Sequence, residues 1–338
     1  MMLSVKSHSG TYPVYFYRGA LGNLSDLLRL HRKVLLVSDR GIPKAYVDQV
    51  AAAIESPHLI LLEAGEAAKS MDNYQALLTY LVEHAFTRKD AILALGGGVV
   101  GDLAGFLAAT YLQGVDFYYL PTSLLAQVDG AIGGKTALHF QGQANILGTY
   151  TAPKAVVIDP ELLSTLSNRQ RASGMAEIIK TALVLKPGLY NYLCTRPPYE
   201  GLESVMESCI RSKIRVVEED EAGKGVRRIL QFGHTLGHAI EAQSDLLHGE
   251  ALAIGMTYFT TKPVLRTLFP LLEKYQLPAF SKIRTALLYD SIRHDLRSDG
   301  NGLHAVFLEK PGKARILRLS FEEIKEVIQK RQVPAHLL

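Results

Sequence analysis

The chain has no tryptophan and only two cysteines, Cys194 and Cys209, among its 338 residues. Because these two lack the spacing of metal ligands or of a disulfide framework, they indicate a reducing compartment. Long apolar runs are also missing, since the most apolar stretch, 91–112, is interrupted by Asp102 and by several glycines. That stretch is unsuited to spanning a membrane, and the N-terminal residues lack the apolar core of a signal peptide. We therefore expect a cytoplasmic protein without a membrane partner.

A strong excess of one charge is absent as well. The chain has 37 Lys and Arg against 33 Asp and Glu, which gives a net charge of +4. No basic block of the kind that binds nucleic acid occurs, so we expect no nucleic-acid partner and a slight preference for small anions. A length of 338 residues exceeds what one hydrophobic core usually supports, and two domains are expected.

Strands and helices alternate in the first half of the sequence, which predicts a mostly parallel sheet with helices on its faces. The second half is mainly helical. We place the boundary at Asp159-Pro160, giving an α/β domain over 1–159 and a mainly α-helical domain over 160–338. The predicted strands are Val14–Tyr17, Val34–Val37, Leu59–Leu62, Ala91–Leu95, Phe117–Leu120, Ala155–Ile158 and His304–Leu308. The predicted helices are Pro43–Ile54, Met71–Phe86, Leu103–Tyr111, Glu161–Leu166, Arg169–Leu185, Leu202–Asp220, Val226–Ala242, Gly249–Leu268 and Phe321–Lys330.

The histidines of the second half indicate a metal site. His234 and His238 are four residues apart, which places both imidazoles on one face of a helix, and His248 follows ten residues later. Glu177 and Lys180 are spaced to share a face of another helix. Imidazoles and a carboxylate form a ligand set that zinc accepts, although ordinary helix-face histidines would give the same local pattern. Glycines flank the histidines, and because glycine weakens a helix we expect a close backbone approach there.

A glycine-rich turn indicates a nucleotide site in the first half. Gly96, Gly98 and Gly101 match the G-x-G-x-x-G pattern between a strand and a helix, although such turns are common in α/β sheets. The carboxylate that binds a ribose usually follows the glycines in sequence. Here the better candidate is Asp39, which precedes them, so the order differs from that of a standard dehydrogenase. Lys135, after Gly133-Gly134, is a candidate anion ligand or part of a plain loop.

Taken in order, these segments resemble the 3-dehydroquinate synthase family of the sugar-phosphate cyclase superfamily. The resemblance runs from about Val34 to about Met256 and depends on an ordered set of motifs. They are GExxK at Gly65–Lys69, GGGVVGD at Gly96–Asp102, PTSLL at Pro121–Leu125, QVD at Gln127–Asp129, GGKT at Gly133–Thr136, GMAEIIK at Gly174–Lys180, GHTxGHAIE at Gly233–Glu241 and HGE at His248–Glu250.

The resemblance implies an N-terminal domain that binds NAD, a C-terminal domain that binds zinc or cobalt, and by analogy a homodimer. It implies that the metal ligands are Glu177, His234 and His248. The implied NAD-binding residues are Asp39, Glu66, Lys69, Gly97, Gly98, Asp102, Thr122, Ser123 and Leu125. The residues implied to meet the substrate or to act in catalysis are Asp129, Lys135, Asn145, Lys180, Lys213, Arg227 and His238.

The implied activity is that of a carbon–oxygen lyase in the shikimate pathway of aromatic amino acid biosynthesis. A seven-carbon sugar acid phosphate, 3-deoxy-D-arabino-heptulosonate 7-phosphate, becomes 3-dehydroquinate and phosphate through oxidation, elimination, reduction and aldol closure. The lysines and Arg227 suit a substrate with a carboxylate and a phosphate, and His238 suits the transfer of an alcohol proton. Taken alone, however, Lys213 and Arg227 would also fit a solvated helix face.

The sequence departs from the family pattern at cations that bear on the phosphate. Gln113, Ala144 and Leu296 stand where cationic residues are expected, and Gln231 replaces an asparagine. Each hydrogen bond to a charged group contributes about 1.5–3 kcal/mol, so the lost cations require replacement. The candidate replacements are Arg293, His294, Arg297 and His139. The departures keep alternatives open: an inosose or valiolone-type cyclase, a metal-dependent alcohol dehydrogenase, or a nucleotide-binding regulator without turnover.

Overall fold

The structure is a computed structural model that describes residues 1–293 and 300–331. It divides into two compact units, the first comprising Met1–Leu166 and the second beginning at Ser167. No helix in the described part of the chain is both long and apolar enough to cross a membrane.

A seven-stranded sheet forms the centre of the first unit. Its strands are β1 (Met2–Ser7), β2 (Gly10–Phe16), β3 (Lys33–Asp39), β4 (Ser56–Leu62), β5 (Ala91–Gly96), β6 (Asp116–Pro121) and β9 (Ala155–Ile158). Their order across the sheet is β1-β2-β9-β6-β5-β3-β4, and β1 is the single antiparallel strand among them. The mostly parallel sheet predicted from sequence is confirmed.

Burial on both faces explains the composition of the central strands. The residues of β5 are all buried, and so are the five inner residues of β3, as expected for strands covered by helices on both sides. The helices of this unit are α1 (Leu24–Leu27), α2 (Lys44–Ala52), α3 (Met71–Glu83) and α4 (Gly98–Thr110). After β3 the chain moves outward to β4 and then returns to β5 on the other side of β3. The carboxyl ends of β3 and β5 therefore flank a topological switch point, where open α/β sheets bind ligands.

A separate two-stranded hairpin follows the sheet's sixth strand, and the sequence patterns did not predict it. It consists of β7 (Lys135–Phe140) and β8 (Gln143–Tyr150), joined through Gln141 and Gly142. Both connecting residues have positive φ, as the type I′ hairpin turn requires. Most of β8 is exposed, so it lacks the apolar alternation that marks a half-buried strand.

The second unit is mainly helical, as predicted. Its helices are α5 (Asn168–Leu185), α6 (Pro187–Thr195), α7 (Leu202–Glu219), α8 (His234–Glu241), α9 (His248–Tyr258), α10 (Lys262–Lys274), α11 (Thr285–Arg293) and α12 (Phe321–Arg331). A hairpin of β10 (Gly302–Lys310) and β11 (Lys313–Ser320) precedes the last helix. The sequence patterns missed α6, α11 and β11.

Two long helices predicted from sequence are wrong, because each is broken. In place of Val226–Ala242, a short 3-10 helix over Val226–Gln231 ends before Gly233, whose φ of 80° is left-handed, and α8 begins at the next residue. In place of Gly249–Leu268, α9 ends at Tyr258 and α10 starts with Pro263 in its first turn. Proline fits the first turn of a helix, where its missing N–H has no intrahelical partner, so Pro263 favours the start of a new helix at this point.

Candidate functional site

The glycine turn and Asp39 lie on neighbouring strands of the first unit. Gly97 caps α4 directly after β5, and the register of β3 against β5 pairs Ser38 with Leu95. Asp39 therefore ends its strand beside the glycine turn at the switch point. Because β3 lies next to β5 in the sheet, Asp39 can lie beside the glycine turn although it precedes the glycines in sequence. Burial raises the pKa of Asp39, whereas the Gly41 N–H, which donates to its Oδ1 at 2.8 Å, lowers it.

Tyr119, on β6, contacts the glycine turn at two of its glycines. Its hydroxyl donates to the Gly97 carbonyl oxygen at 2.8 Å, and a Cβ at Gly101 would overlap its ring. The third glycine of the motif is therefore needed for packing on Tyr119. The neighbouring strand also holds the turn, since the Thr122 N–H donates to the Gly96 carbonyl oxygen at 3.0 Å. Sequence reasoning did not identify Tyr119, whose role depends on the sheet order.

Three further residues expected at the nucleotide site form one ionic cluster. Lys69 is buried, and its Nζ lies 2.9 Å from Asp102 Oδ2 and 3.1 Å from Glu66 Oε1. Burial acts to lower the pKa of Lys69, but the attraction of Asp102 and Glu66 is stronger and raises the pKa above its ordinary value. The ammonium group therefore stays protonated. Burial would raise the pKa of Glu66, yet His139 and Lys69 lower it to about 2. The cluster ties the Gly65–Lys69 turn to α4.

The remaining residues expected in this unit differ in exposure. Ser123 accepts a hydrogen bond from the Ala126 N–H at 3.2 Å, and Leu125 is half-buried. Asp129 lies in a π-helical turn over Ala126–Gly130. Lys135 is exposed at the start of β7 and lines one recess with Gly98, Asp102 and Tyr119. Asn145 is exposed on β8.

Glu177, His234 and His248 converge in the second unit, from α5, α8 and α9. The Nε2 atoms of His234 and His248 lie 3.4 Å and 3.5 Å from Glu177 Oε1, and the three ligand atoms lie within 4.8 Å of one another. Tetrahedral ligands at zinc distances are about 3.3–3.6 Å apart. The two distances from Glu177 Oε1 to the imidazole nitrogens match the edges of such a tetrahedron.

The other ring nitrogens show which atoms face the centre. His234 Nδ1 lies 3.3 Å from the Phe232 carbonyl oxygen, and His248 Nδ1 lies 3.0 Å from Glu241 Oε2. Both partners accept, so both Nδ1 atoms carry hydrogen and both Nε2 atoms turn toward the Glu177 carboxylate. With Nδ1 carrying hydrogen, each Nε2 is left to face Glu177 Oε1, where either a proton on Nε2 or a cation can lie between nitrogen and oxygen. Two imidazole nitrogens and one carboxylate oxygen that converge in this way form a ligand set that a divalent cation such as zinc accepts. Sequence reasoning missed Glu241.

The pKa values in this cluster follow from the same geometry. Burial lowers the pKa of His234. For His248 burial acts in the same direction, but Glu177 and Glu241 overcome it and raise the pKa to about 10. Burial would raise the pKa of Glu177, yet Lys180 and the two imidazoles hold it well below its usual range. Lys180 is buried, with its Nζ 2.5 Å from Glu177 Oε2. The carboxylate therefore stays ionised.

His238 lies beside these ligands. Its ring centroid is 5.1 Å from that of His234 and 5.8 Å from that of His248. A second set of possible ligands, His238, Glu241 and His248, shares one histidine with the first. Lys213 and Arg227 are both buried, so the alternative of a solvated helix face is wrong for them. One guanidinium nitrogen of Arg227, Nη1, donates to the Glu221 carbonyl oxygen at 2.6 Å.

The glycines beside the histidines do allow a close approach, and the partner is another helix. A Cβ at Gly249 would overlap the Ser173 carbonyl oxygen of α5, and the Gly249 N–H donates to Ser173 Oγ at 3.0 Å. Because this contact holds α9 against α5, it also sets His248 next to Glu177.

The residues that depart from the family pattern, and the candidate replacements for the lost cations, differ in their contacts and exposure. Gln113 Oε1 accepts from Arg88 Nη2 at 3.2 Å, and Ala144 is exposed on β8. His139 does not serve as an uncommitted cation, because its two nitrogens contact the Asn145 N–H and Glu66. Gln231 ends a 3-10 helix, and Arg293 stacks over Tyr289 at 5.9 Å. The other positions raised from sequence, His294, Leu296 and Arg297, lie outside the described residues.

Comparison with known proteins identifies the family. Residues 59–173 match the N-terminal family model of 3-dehydroquinate synthase, and residues 174–298 match the C-terminal one. The 3-dehydroquinate synthase of Enterococcus faecalis is 38% identical, over 98% of this chain and 99% of its own.

Solved structures share the fold. A 2-deoxy-scyllo-inosose synthase complexed with carbaglucose-6-phosphate, NAD+ and Co2+ has a TM-score of 0.87 at 24% identity, covering 98% of this chain and 100% of that one. The 2-epi-5-epi-valiolone synthase ValA from Streptomyces hygroscopicus, with NAD+ and Zn2+ bound, has a TM-score of 0.84 at 25% identity, covering 94% and 96%. Full-length similarity and both family models agree: this chain belongs to the 3-dehydroquinate synthase family.

Proposed function

We propose that this protein is a 3-dehydroquinate synthase, a carbon–oxygen lyase that depends on NAD and a divalent metal, zinc or cobalt. Its substrate is 3-deoxy-D-arabino-heptulosonate 7-phosphate, and its products are 3-dehydroquinate and phosphate, in the shikimate pathway of the cytoplasm. By analogy with the family the protein works as a homodimer. The observation that carries the proposal is the convergence of Glu177, His234 and His248 in a chain similar to these synthases over its full length.

Each cofactor has residues that suit it. Glu177 and the Nε2 atoms of His234 and His248 would hold the metal, with Glu241 fixing the ring of His248. When bound, the metal supplies a Lewis acid for an alcohol oxygen, and NAD supplies a hydride acceptor that is restored within each cycle. The residues proposed to bind NAD are Asp39, Glu66, Lys69, Gly97, Gly98, Asp102, Thr122, Ser123 and Leu125.

The chain's own side chains would handle the protons and the anionic groups. His238 lies beside the metal ligands, so we assign it the transfer of the alcohol proton. Lys180 keeps Glu177 ionised by its contact at 2.5 Å. We assign the binding of the substrate's carboxylate, phosphate and hydroxyl groups to Asp129, Lys135, Asn145, Lys213 and Arg227.

The test of this function is phosphate release by the purified protein. With NAD, zinc and the heptulosonate phosphate, we expect one phosphate and one 3-dehydroquinate per substrate without net accumulation of NADH, because the hydride returns within the cycle. Absence of phosphate release would contradict the proposal. Net NADH with a simple alcohol would instead indicate an alcohol dehydrogenase, and tight NAD binding without turnover would indicate a regulator.

A second candidate function is a cyclase of the inosose or valiolone type. It is favoured by the fold match to two such synthases and by the non-cationic residues Gln113 and Ala144. The same assay with glucose 6-phosphate and sedoheptulose 7-phosphate separates the two. We expect turnover of the heptulosonate at least about 100-fold above either sugar, because a site built for the substrate carboxylate leaves its polar groups unpaired with a substrate that lacks one.

The Tyr119 contact predicts a specific change in NAD affinity. Tyr119→Phe removes the donor to the Gly97 carbonyl oxygen, 2.8 Å away, while keeping the ring that packs on Gly101. One neutral hydrogen bond contributes about 1 kcal/mol, so we expect the Kd for NAD to rise about fivefold. Isothermal titration calorimetry of the protein with NAD measures this change.

A matched control lies one residue earlier on the same strand. Tyr118 faces the opposite side of the sheet, where its hydroxyl accepts from Arg32 Nη2 at 2.7 Å. Tyr118→Phe should leave the Kd for NAD unchanged. Equal effects of the two substitutions would show that Tyr119 acts only through general stability.

A further inference from the structure

The hairpin of β7 and β8 contains a bulge centred on Asn145. Its strands pair Leu138 with Leu147 and Phe140 with Gln143. Between these pairs β7 has one residue, His139, whereas β8 has three, 144–146. Extra residues in one strand leave the ladder and redirect their side chains. The φ of Asn145 is 55°, a left-handed conformation that asparagine tolerates better than most residues.

His139 connects this bulge to the Gly65–Lys69 turn through three contacts. Its Nδ1 accepts from the Asn145 N–H at 3.0 Å, and its Nε2 lies 3.1 Å from Glu66 Oε1. Its own backbone N–H donates to the Lys69 carbonyl oxygen at 2.8 Å. A nitrogen that accepts from an N–H carries no hydrogen, so the ring proton is on Nε2 and is donated to Glu66. The carboxylate thus selects the tautomer that leaves Nδ1 as the acceptor.

The contact to His139 gives the Asn145 N–H an acceptor outside the ladder. The bulge leaves Asn145 without a paired residue on β7, so its backbone direction is not set by the strand register. The His139 ring is largely buried, with 23% of its side chain exposed, and supplies the acceptor from the facing strand. The backbone direction at Asn145, and with it the direction of its exposed side chain, therefore depends on this imidazole.

We propose that His139 is a positioning residue that fixes the bulge and so directs the Asn145 side chain toward a polar group of the substrate. The proposal rests on the proposed function for the identity of that substrate. It also gives His139 a role other than replacing a phosphate-binding cation.

Two substitutions at His139 test the acceptor. His139→Phe keeps a planar ring and removes both nitrogens, while His139→Asn keeps an acceptor on Cγ, where histidine carries Nδ1. We expect the phenylalanine variant to lose about tenfold of the hydrogen-exchange protection of the Asn145 amide, in keeping with one lost hydrogen bond. Its KM for the heptulosonate should rise about fivefold, with kcat within about twofold of the parent. The asparagine variant should recover most of both losses.

His31→Phe is the matched control, because His31 is an exposed histidine of the same unit, 3.5 Å from Glu55, and should change neither readout. Unchanged protection of the Asn145 amide in His139→Phe would overturn the inference, as would an asparagine variant as impaired as the phenylalanine one. Hydrogen exchange needs no substrate, so this result stands apart from the proposed function. Failure of the function would appear instead as no phosphate release by the unmodified protein.

Discussion

Glu177→Gln is expected to remove the bound metal and the phosphate-releasing activity together. The substitution keeps the side-chain volume but replaces the carboxylate that both Nε2 atoms face at 3.4 and 3.5 Å with a neutral amide. Partners outside the ligand shell already change metal affinity by about 10–100-fold, so loss of a direct ligand should lower zinc affinity at least about 100-fold. Metal content after dialysis and a chelator competition measure this directly.

Added zinc is also expected to leave the Tm of the Glu177→Gln variant unchanged. A ligand present at 100 times its Kd contributes about 2.7 kcal/mol to the free energy of unfolding, so zinc should raise the Tm of the parent and not that of Glu177→Gln. The matched control is Glu207→Gln, because Glu207 is partly exposed on α7 and pairs with Arg211 at 2.7 Å. A Glu177→Gln variant with one tightly bound zinc would show that this carboxylate is no ligand.

Gly249→Ala is expected to damage both the fold of the second unit and its metal site. The added Cβ would overlap the Ser173 carbonyl oxygen, so α9 has to move away from α5. Overpacking of this kind costs about 1–3 kcal/mol, and for a unit of this size each kcal/mol corresponds to about 2–4 °C in Tm. Since His248 is the preceding residue, the same movement takes its imidazole away from Glu177. A calorimetric scan and a zinc titration follow the two effects.

Gly188→Ala provides the control for that substitution. Gly188 lies in α6, and a Cβ there meets nothing within 4 Å. Because alanine favours a helix over glycine by about 1 kcal/mol, this variant should be as stable as the parent or slightly more stable. A Gly249→Ala protein with unchanged Tm and zinc affinity would mean that the α5–α9 contact does not determine the site.

The central strands of the first unit's sheet were predictable, because residues buried on both faces of a sheet are apolar without interruption. Val34–Val37 and Ala91–Leu95 are apolar throughout, and both form strands covered on two faces. Their adjacency was not predictable, since the order of strands in a sheet depends on long-range packing. The sequence therefore showed that Asp39 precedes the glycine turn. Only the pairing of β3 with β5 explains why Asp39 lies beside that turn.

The residues proposed as metal ligands were indicated by spacing and family resemblance, and the structure brings them together, but the contacts that orient them were not predicted. His234 follows a left-handed Gly233 at the start of a helix, whereas a continuous helix was expected through it. Glu241 was part of a quoted motif, yet its contact with His248 depends on how α8 packs beside α9. The role of His139 depends on a bulge in a hairpin that has no apolar alternation, so no local pattern could predict it.

The most direct test of the account is anomalous diffraction at the zinc edge from crystals of the zinc-loaded protein. The account predicts one strong peak about 2.0–2.2 Å from a carboxylate oxygen of Glu177 and from Nε2 of His234 and of His248. A peak on the neighbouring set of His238 and Glu241 instead, or no peak at Glu177 in a protein that contains one zinc per chain, would contradict it.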